Sequence, residues 1–75
     1  MNKLSKKEKR IFRCFIDSTK EIIENEGIDK VSARKIGKIS GYSYATIYNY
    51  FKDLKELLSY CAFDYLKECF DLVKN

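Results

Sequence analysis

The chain contains no proline and no histidine, only three glycines, and an odd number of cysteines, three, in 75 residues. With no proline, repeat or low-complexity tract, nothing marks a linker, and a chain of this length holds one small domain. Cys61 and Cys69 fall in one helical pattern, about 12 Å apart along a helix, too far for a disulfide. Without histidine or a paired-cysteine motif no zinc site is expected, and no other metal or cofactor is implied. There is no nucleophile–base pair and no phosphate loop, and the chain is too short for a sizeable pocket, so an enzyme is not expected. The start, MNKLSKKEKR, is charged and carries no apolar signal segment, and no run reaches transmembrane length. These absences predict a reduced, cytoplasmic protein.

What is present is charge of one sign in one place. The formal charge is +4, and Lys3, Lys6, Lys7, Lys9, Arg10 and Arg13 crowd the first thirteen residues against Glu8 alone. Such a cluster suits a polyanion, or simply a solvated helix face. The rest reads as all-α, since alternation of β-branched residues never persists. Ser5-Lys-Lys-Glu8 is a capping box, followed at helical spacing by Ile11, Phe12, Phe15, Ile16, Thr19, Ile22 and Ile23. The first helix should run over about 6–25 and end at Gly27 in a left-handed conformation. Ser32 caps a second, about 33–39, with Ile36 and Ile39 on one face; Gly41 breaks it. Ser43 caps a third, about 44–51. Asp53-Leu-Lys-Glu56 opens a long fourth, with Leu57, Leu58, Cys61, Ala62, Tyr65, Leu66, Cys69, Phe70 and Val73 along one broad face.

Two short helices joined by a glycine-containing turn make a helix-turn-helix, within a homeodomain-like three-helix domain that a long fourth helix extends. Gly37 lets the two helices approach, and Gly41 takes positive φ at the turn. Ile36, Ile39 and Ile47 are expected to meet Phe15 and Ile22 or Ile23. With Ile47 inward and Phe51 in the core, Ala45 and Asn49 face out, Tyr44 and Tyr48 lie on one flank, and Thr46 and Tyr50 on the other. The hydroxyls of Ser43, Thr46 and the tyrosines suit phosphate oxygens, and small or polar residues suit base edges, so the expected partner is duplex DNA.

Gly27, Val31-Ser32, Ile36-Gly37, Gly41-Tyr42-Ser43, Thr46-Ile47-Tyr48, Tyr50-Phe51 and Leu57 together resemble the N-terminal DNA-binding domain of the tetracycline-repressor (TetR) family, without gaps from about Phe15 to Leu57. The resemblance implies a homodimeric bacterial transcriptional repressor on a palindromic operator, released when a small molecule binds a C-terminal domain. It makes residues 1–52 the DNA-binding domain and 53–75 a helix connecting to a ligand-binding and dimerisation domain absent from this sequence, as in an excised domain or truncated product. It also implies site residues. Tyr44 and Ala45 match positions that touch bases, while Thr46, Tyr48 and Tyr50 match positions on phosphates or the groove edge. Arg34 matches a position that reaches bases or backbone in some members, and Lys52 is placed for a phosphate. The sequence departs from the pattern in four places. Alanine is common in the family where Gly37 and Ser40 stand, valine where Tyr42 stands, and a phosphate-gripping lysine where Leu54 stands, so that grip passes to Lys55 or Lys52 or is absent. The rival reading is a small basic helical module that binds a protein partner through the apolar face of the fourth helix.

Overall fold

The computed structural model describes residues 4–74, with side chains described through residue 70. Among the described residues four α-helices occur in order, α1 (Lys6–Glu26), α2 (Ala33–Ser40), α3 (Tyr44–Tyr50) and α4 (Leu54–Lys74), with a single 3-10 turn, Ile28–Lys30, between the first two. No strand occurs among the described residues, so the all-α class expected from the sequence is what forms.

Each helix begins where a short polar side chain meets orphan backbone donors. Ser5 Oγ accepts from the Glu8 N–H at 3.1 Å while Glu8 Oε1 accepts from the Ser5 N–H at 2.9 Å, the reciprocal box read from the sequence. Ser32 and Ser43 cap α2 and α3 through the Lys35 and Thr46 N–H groups. At α4 the box is shifted. Asp53 Oδ1 accepts from the Glu56 N–H at 2.9 Å, but the Glu56 carboxylate reaches back to the Lys52 N–H at 2.7 Å rather than to that of Asp53.

The glycines divide. Gly41 is left-handed (φ 85°, ψ 3°), as its place in the turn requires, and its N–H donates to the Gly37 carbonyl at 2.9 Å. Gly27 also has positive φ, 103°, but its ψ of 155° is extended, which corrects the left-handed expectation. That region is open to glycine alone. It lets the chain leave α1 with the Gly27 N–H still bonded to the Ile22 and Ile23 carbonyls and enter the 3-10 turn at once.

Phe15, Ile16, Ile22, Ile36, Ile47, Phe51, Leu57 and Cys61 form the buried core, with Ile11, Phe12, Val31, Ala33, Tyr50 and Leu54 packed on it. Of the expected pair, Ile22 enters and Ile23 stays half-buried. Ile39 does not enter: it is 42% exposed. Three residues on from Ile36 it is rotated by about 60°, and in an eight-residue helix it already lies in the last turn, where the chain leaves the core.

The broad apolar face of α4 also splits. Leu57 and Cys61 are buried, Leu58 and Tyr65 half-buried, and Ala62, Leu66, Cys69 and Phe70 exposed; the Val73 side chain lies outside the described residues. Beyond Cys61, α4 is held to α1 by polar contacts. Asp64 accepts from Arg13 Nη1 at 2.8 Å and Nη2 at 2.5 Å, and from Lys20 Nζ at 2.7 Å. Lys20 also bonds Glu68 at 2.6 Å and sits 4.6 Å from the Tyr65 ring centre. Tyr65 donates to Glu24 at 3.0 Å; burial and that carboxylate push its hydroxyl up to about 12. Arg13 is therefore no part of a free basic cluster: it pairs with Asp64 and, one turn on, Asp17. Lys6, Lys7, Lys9 and Arg10 remain exposed, and Lys3 lies outside the described residues.

Candidate nucleic-acid interface

α3 is fixed from its inner side. Ile47 is fully buried and Phe51 nearly so, and the Tyr50 ring packs edge-on against Phe15 at 5.9 Å. In the turn before α3, Tyr42 sets its ring on the same Phe15 at 5.6 Å while remaining 39% exposed. The reason for Gly37 is direct: a Cβ there would lie 2.8 Å from the Tyr42 carbonyl oxygen and 3.4 Å from the Tyr44 nitrogen. The turn runs through the space that a methyl group would occupy, so the close approach expected of Gly37 is made by turn backbone.

That geometry carries a prediction. Gly37→Ala gains about 1 kcal/mol of helix propensity but overpacks against backbone that cannot rotate away, at about 1–3 kcal/mol. A net loss of about 1 kcal/mol is expected, with changed amide shifts at Tyr42 to Tyr44 in an NMR spectrum. Equal or higher stability with unmoved shifts would show that the turn does not need the glycine.

The outward side of α3 presents the residues singled out from the sequence. Tyr44 is 58% and Tyr48 46% exposed, and Ala45 and Asn49 are exposed beside them. Thr46 and Tyr50 are half-buried on the other flank. The Ser43 and Thr46 hydroxyls lie 3.0 Å apart and bond each other, so part of their hydrogen-bonding capacity is held in the cap. Arg34 is exposed in the first turn of α2, and Lys52 and Lys55 are exposed past the end of α3. Of the other α2 cations, Lys38 is exposed and Lys35 is ion-paired with Glu26. The α3 residues and their cap thus share one element, with Arg34 on the helix before it, Lys52 in the link that follows and Lys55 in the first turn of α4.

Two features were not read from the sequence. A groove of about 440 Å³ separates the start of α1 from α3, lined by Leu4, Glu8, Phe12, Thr46, Asn49 and Tyr50. Glu8 was legible as a capping residue, but its place beside α3 depends on how the helices cross. A second hollow, of about 260 Å³, lies on α4 and is lined by Ser59, Ala62, Phe63 and Leu66. Among the described residues no group of three or more His, Cys, Asp or Glu side chains could hold a metal ion, and no helix is long and apolar enough to cross a membrane.

The family pattern described as "Bacterial regulatory proteins, tetR family" matches residues 15–61, from buried Phe15 through the helix-turn-helix to buried Cys61. No curated protein and no solved structure gives a significant match.

Proposed function

The chain belongs to the tetR family of bacterial regulatory proteins, which are DNA-binding regulators of transcription, and from that premise we propose that α3 reads the major groove of a specific duplex site. The observation that carries this is the two-sided character of α3. Its inner face is locked by Ile47, while Tyr44, Ala45, Tyr48 and Asn49 stand exposed, with cations on the elements that flank it. Tyr44, Ala45 and Asn49 address bases. Ser43, Thr46, Tyr48 and Tyr50 address phosphates or the groove edge, and Lys52 and Lys55 address phosphates. Arg34 reaches bases or backbone from α2.

In this reading residues 1–52 are the DNA-binding unit and 53–75 the connector to a ligand-binding and dimerisation domain. Two protomers place their α3 helices in half-sites about 34–36 Å apart on a palindromic operator. The protein acts as a repressor, released by a small molecule bound in the C-terminal domain.

Selection of bound sequences from a random duplex pool, repeated over a salt series, tests the proposal. A consensus that survives rising salt is expected; binding without a consensus, vanishing with salt, would leave only a basic surface. Two substitutions separate the roles. Tyr44→Ala should relax preference at one base position, costing about 1–3 kcal/mol on the selected site. Lys52→Ala should weaken all sequences alike and lower the salt slope by about one. Equal losses for Tyr44→Ala on selected and random DNA would remove its base-reading role. The rival reading, a module that binds a protein through α4, draws on the exposure of Phe63, Leu66 and Phe70. It expects little DNA binding at physiological salt, so the same titration decides between the two.

A further inference from the structure

Base edges differ in what they ask of a side chain. Guanine offers two acceptors and takes a two-donor fork from arginine or lysine; the cytosine amine takes a carboxylate. Adenine offers a donor beside an acceptor, which an amide matches, and thymine adds a methyl group that takes an apolar contact. The reading element here, Tyr-Ala-Thr-Ile-Tyr-Asn-Tyr over residues 44–50, contains no arginine, lysine, aspartate or glutamate. Its exposed non-aromatic residues are one methyl group, Ala45, and one amide, Asn49. They lie one turn apart on the same face, about 6 Å along the axis, close to two base-pair steps.

The remaining α3 groups discriminate less. The Thr46 hydroxyl is half-buried and tied to that of Ser43 at 3.0 Å. Tyrosine hydroxyls donate and accept alike, so they fit several base edges. Arg34, Lys38, Lys52 and Lys55 sit on α2 or beyond the end of α3.

Resting on the assignment of α3 as the reader, we infer that the half-site carries A·T pairs beneath this helix. Ala45 meets a thymine methyl, Asn49 takes an adjacent or next-adjacent adenine, and guanine is left to Arg34 outside α3. The A·T preference beneath α3 therefore comes from a methyl and an amide, with Tyr44 adding a less selective base contact.

The test uses the full chain in two selections from a random duplex pool, one with the wild type and one with Arg34→Ala, followed by binding measurements on the selected duplex. An A·T core in both selections is expected, with any guanine preference lost in Arg34→Ala. Replacing the contacted thymine by deoxyuridine removes only the methyl and should lower affinity about fourfold, without touching the protein. Asn49→Ala should flatten the adenine preference at one position by roughly 5- to 150-fold, with its helical circular dichroism unchanged. A consensus that keeps guanine or cytosine under α3 in the Arg34→Ala protein overturns the inference while leaving sequence-specific binding intact. Binding with no consensus at all defeats the function proposed above, and this inference with it.

Discussion

Phe15→Ala is expected to remove about 3–5 kcal/mol of stability. A domain of this length holds roughly 4–11 kcal/mol in total at usual per-residue values, so the loss takes a large share. Phe15 is fully buried, and its ring lies within 5.6 Å of Tyr42, 5.9 Å of Tyr50 and 6.3 Å of Phe51. Those three rings come from the turn before α3, the end of α3 and the residue that caps it, so the cavity opens directly beneath α3. Phe12 is the internal control. It stacks on Phe51 at 4.8 Å but is only half-buried, and its alanine variant should lose less. Urea unfolding tracked by circular dichroism measures both. A Phe15→Ala midpoint no lower than that of Phe12→Ala would contradict this packing.

Asp64→Asn should cost about 2–3 kcal/mol, below the 3–5 kcal/mol typical when a fully buried pair is broken. The discount has two causes. Arg13 is about half exposed, and each cation keeps a second carboxylate, Asp17 for Arg13 and Glu68 for Lys20. The pH dependence has its origin in the same geometry. Hydrogen bonds from Arg13 and then Lys20 hold the Asp64 carboxyl well below the usual carboxylate range. A carboxyl depressed in the folded state stabilises fully above its unfolded value, about 3.9, and that contribution drains away as pH falls toward the depressed value. The same carboxylate raises Arg13 and Lys20 further above their already high ordinary values, so their share is constant through the neutral range. The stability gap between wild type and Asp64→Asn should therefore be flat from about pH 5 to 8 and shrink below about pH 4. A gap that persists unchanged at about pH 2.5, below the unfolded carboxyl value, would mean that the asparagine damages packing and that the ion pairs contribute little.

The fold was legible where its causes are local. A helix cap joins residues three apart, so Ser5, Ser32, Ser43 and Asp53 announce themselves, and the four helices came within a residue or two of their expected bounds. Gly41 was legible for the same reason, since the turn demands positive φ. Ile39 and Gly27 were misread because the deciding facts lie outside the local pattern: which turn of a short helix still touches the core, and which element the chain enters after the cap. Lys20 was overlooked and Arg13 counted as free for one reason: their partner Asp64 lies 44 and 51 residues away in sequence. At the candidate site, helical angles put Ala45 and Asn49 outward, where the structure has them. The groove lined by Glu8 and Phe12 needed the crossing of α1 over α3, which spacing along one chain does not encode.

The three cysteines differ in a way that lends itself to timing. The Cys61 thiol is buried between α1 and α4, donates to the Ile16 carbonyl at 3.8 Å and is pushed up to about 11 by burial, whereas Cys69 is exposed. Alkylating reagents attack thiolates, so Cys69 should be labelled at once and Cys61 only while α4 stands away from α1. Once Cys69 and the half-buried Cys14 are blocked, the slow modification of Cys61 becomes a clock for the lifting of α4, read without adding a probe to the chain.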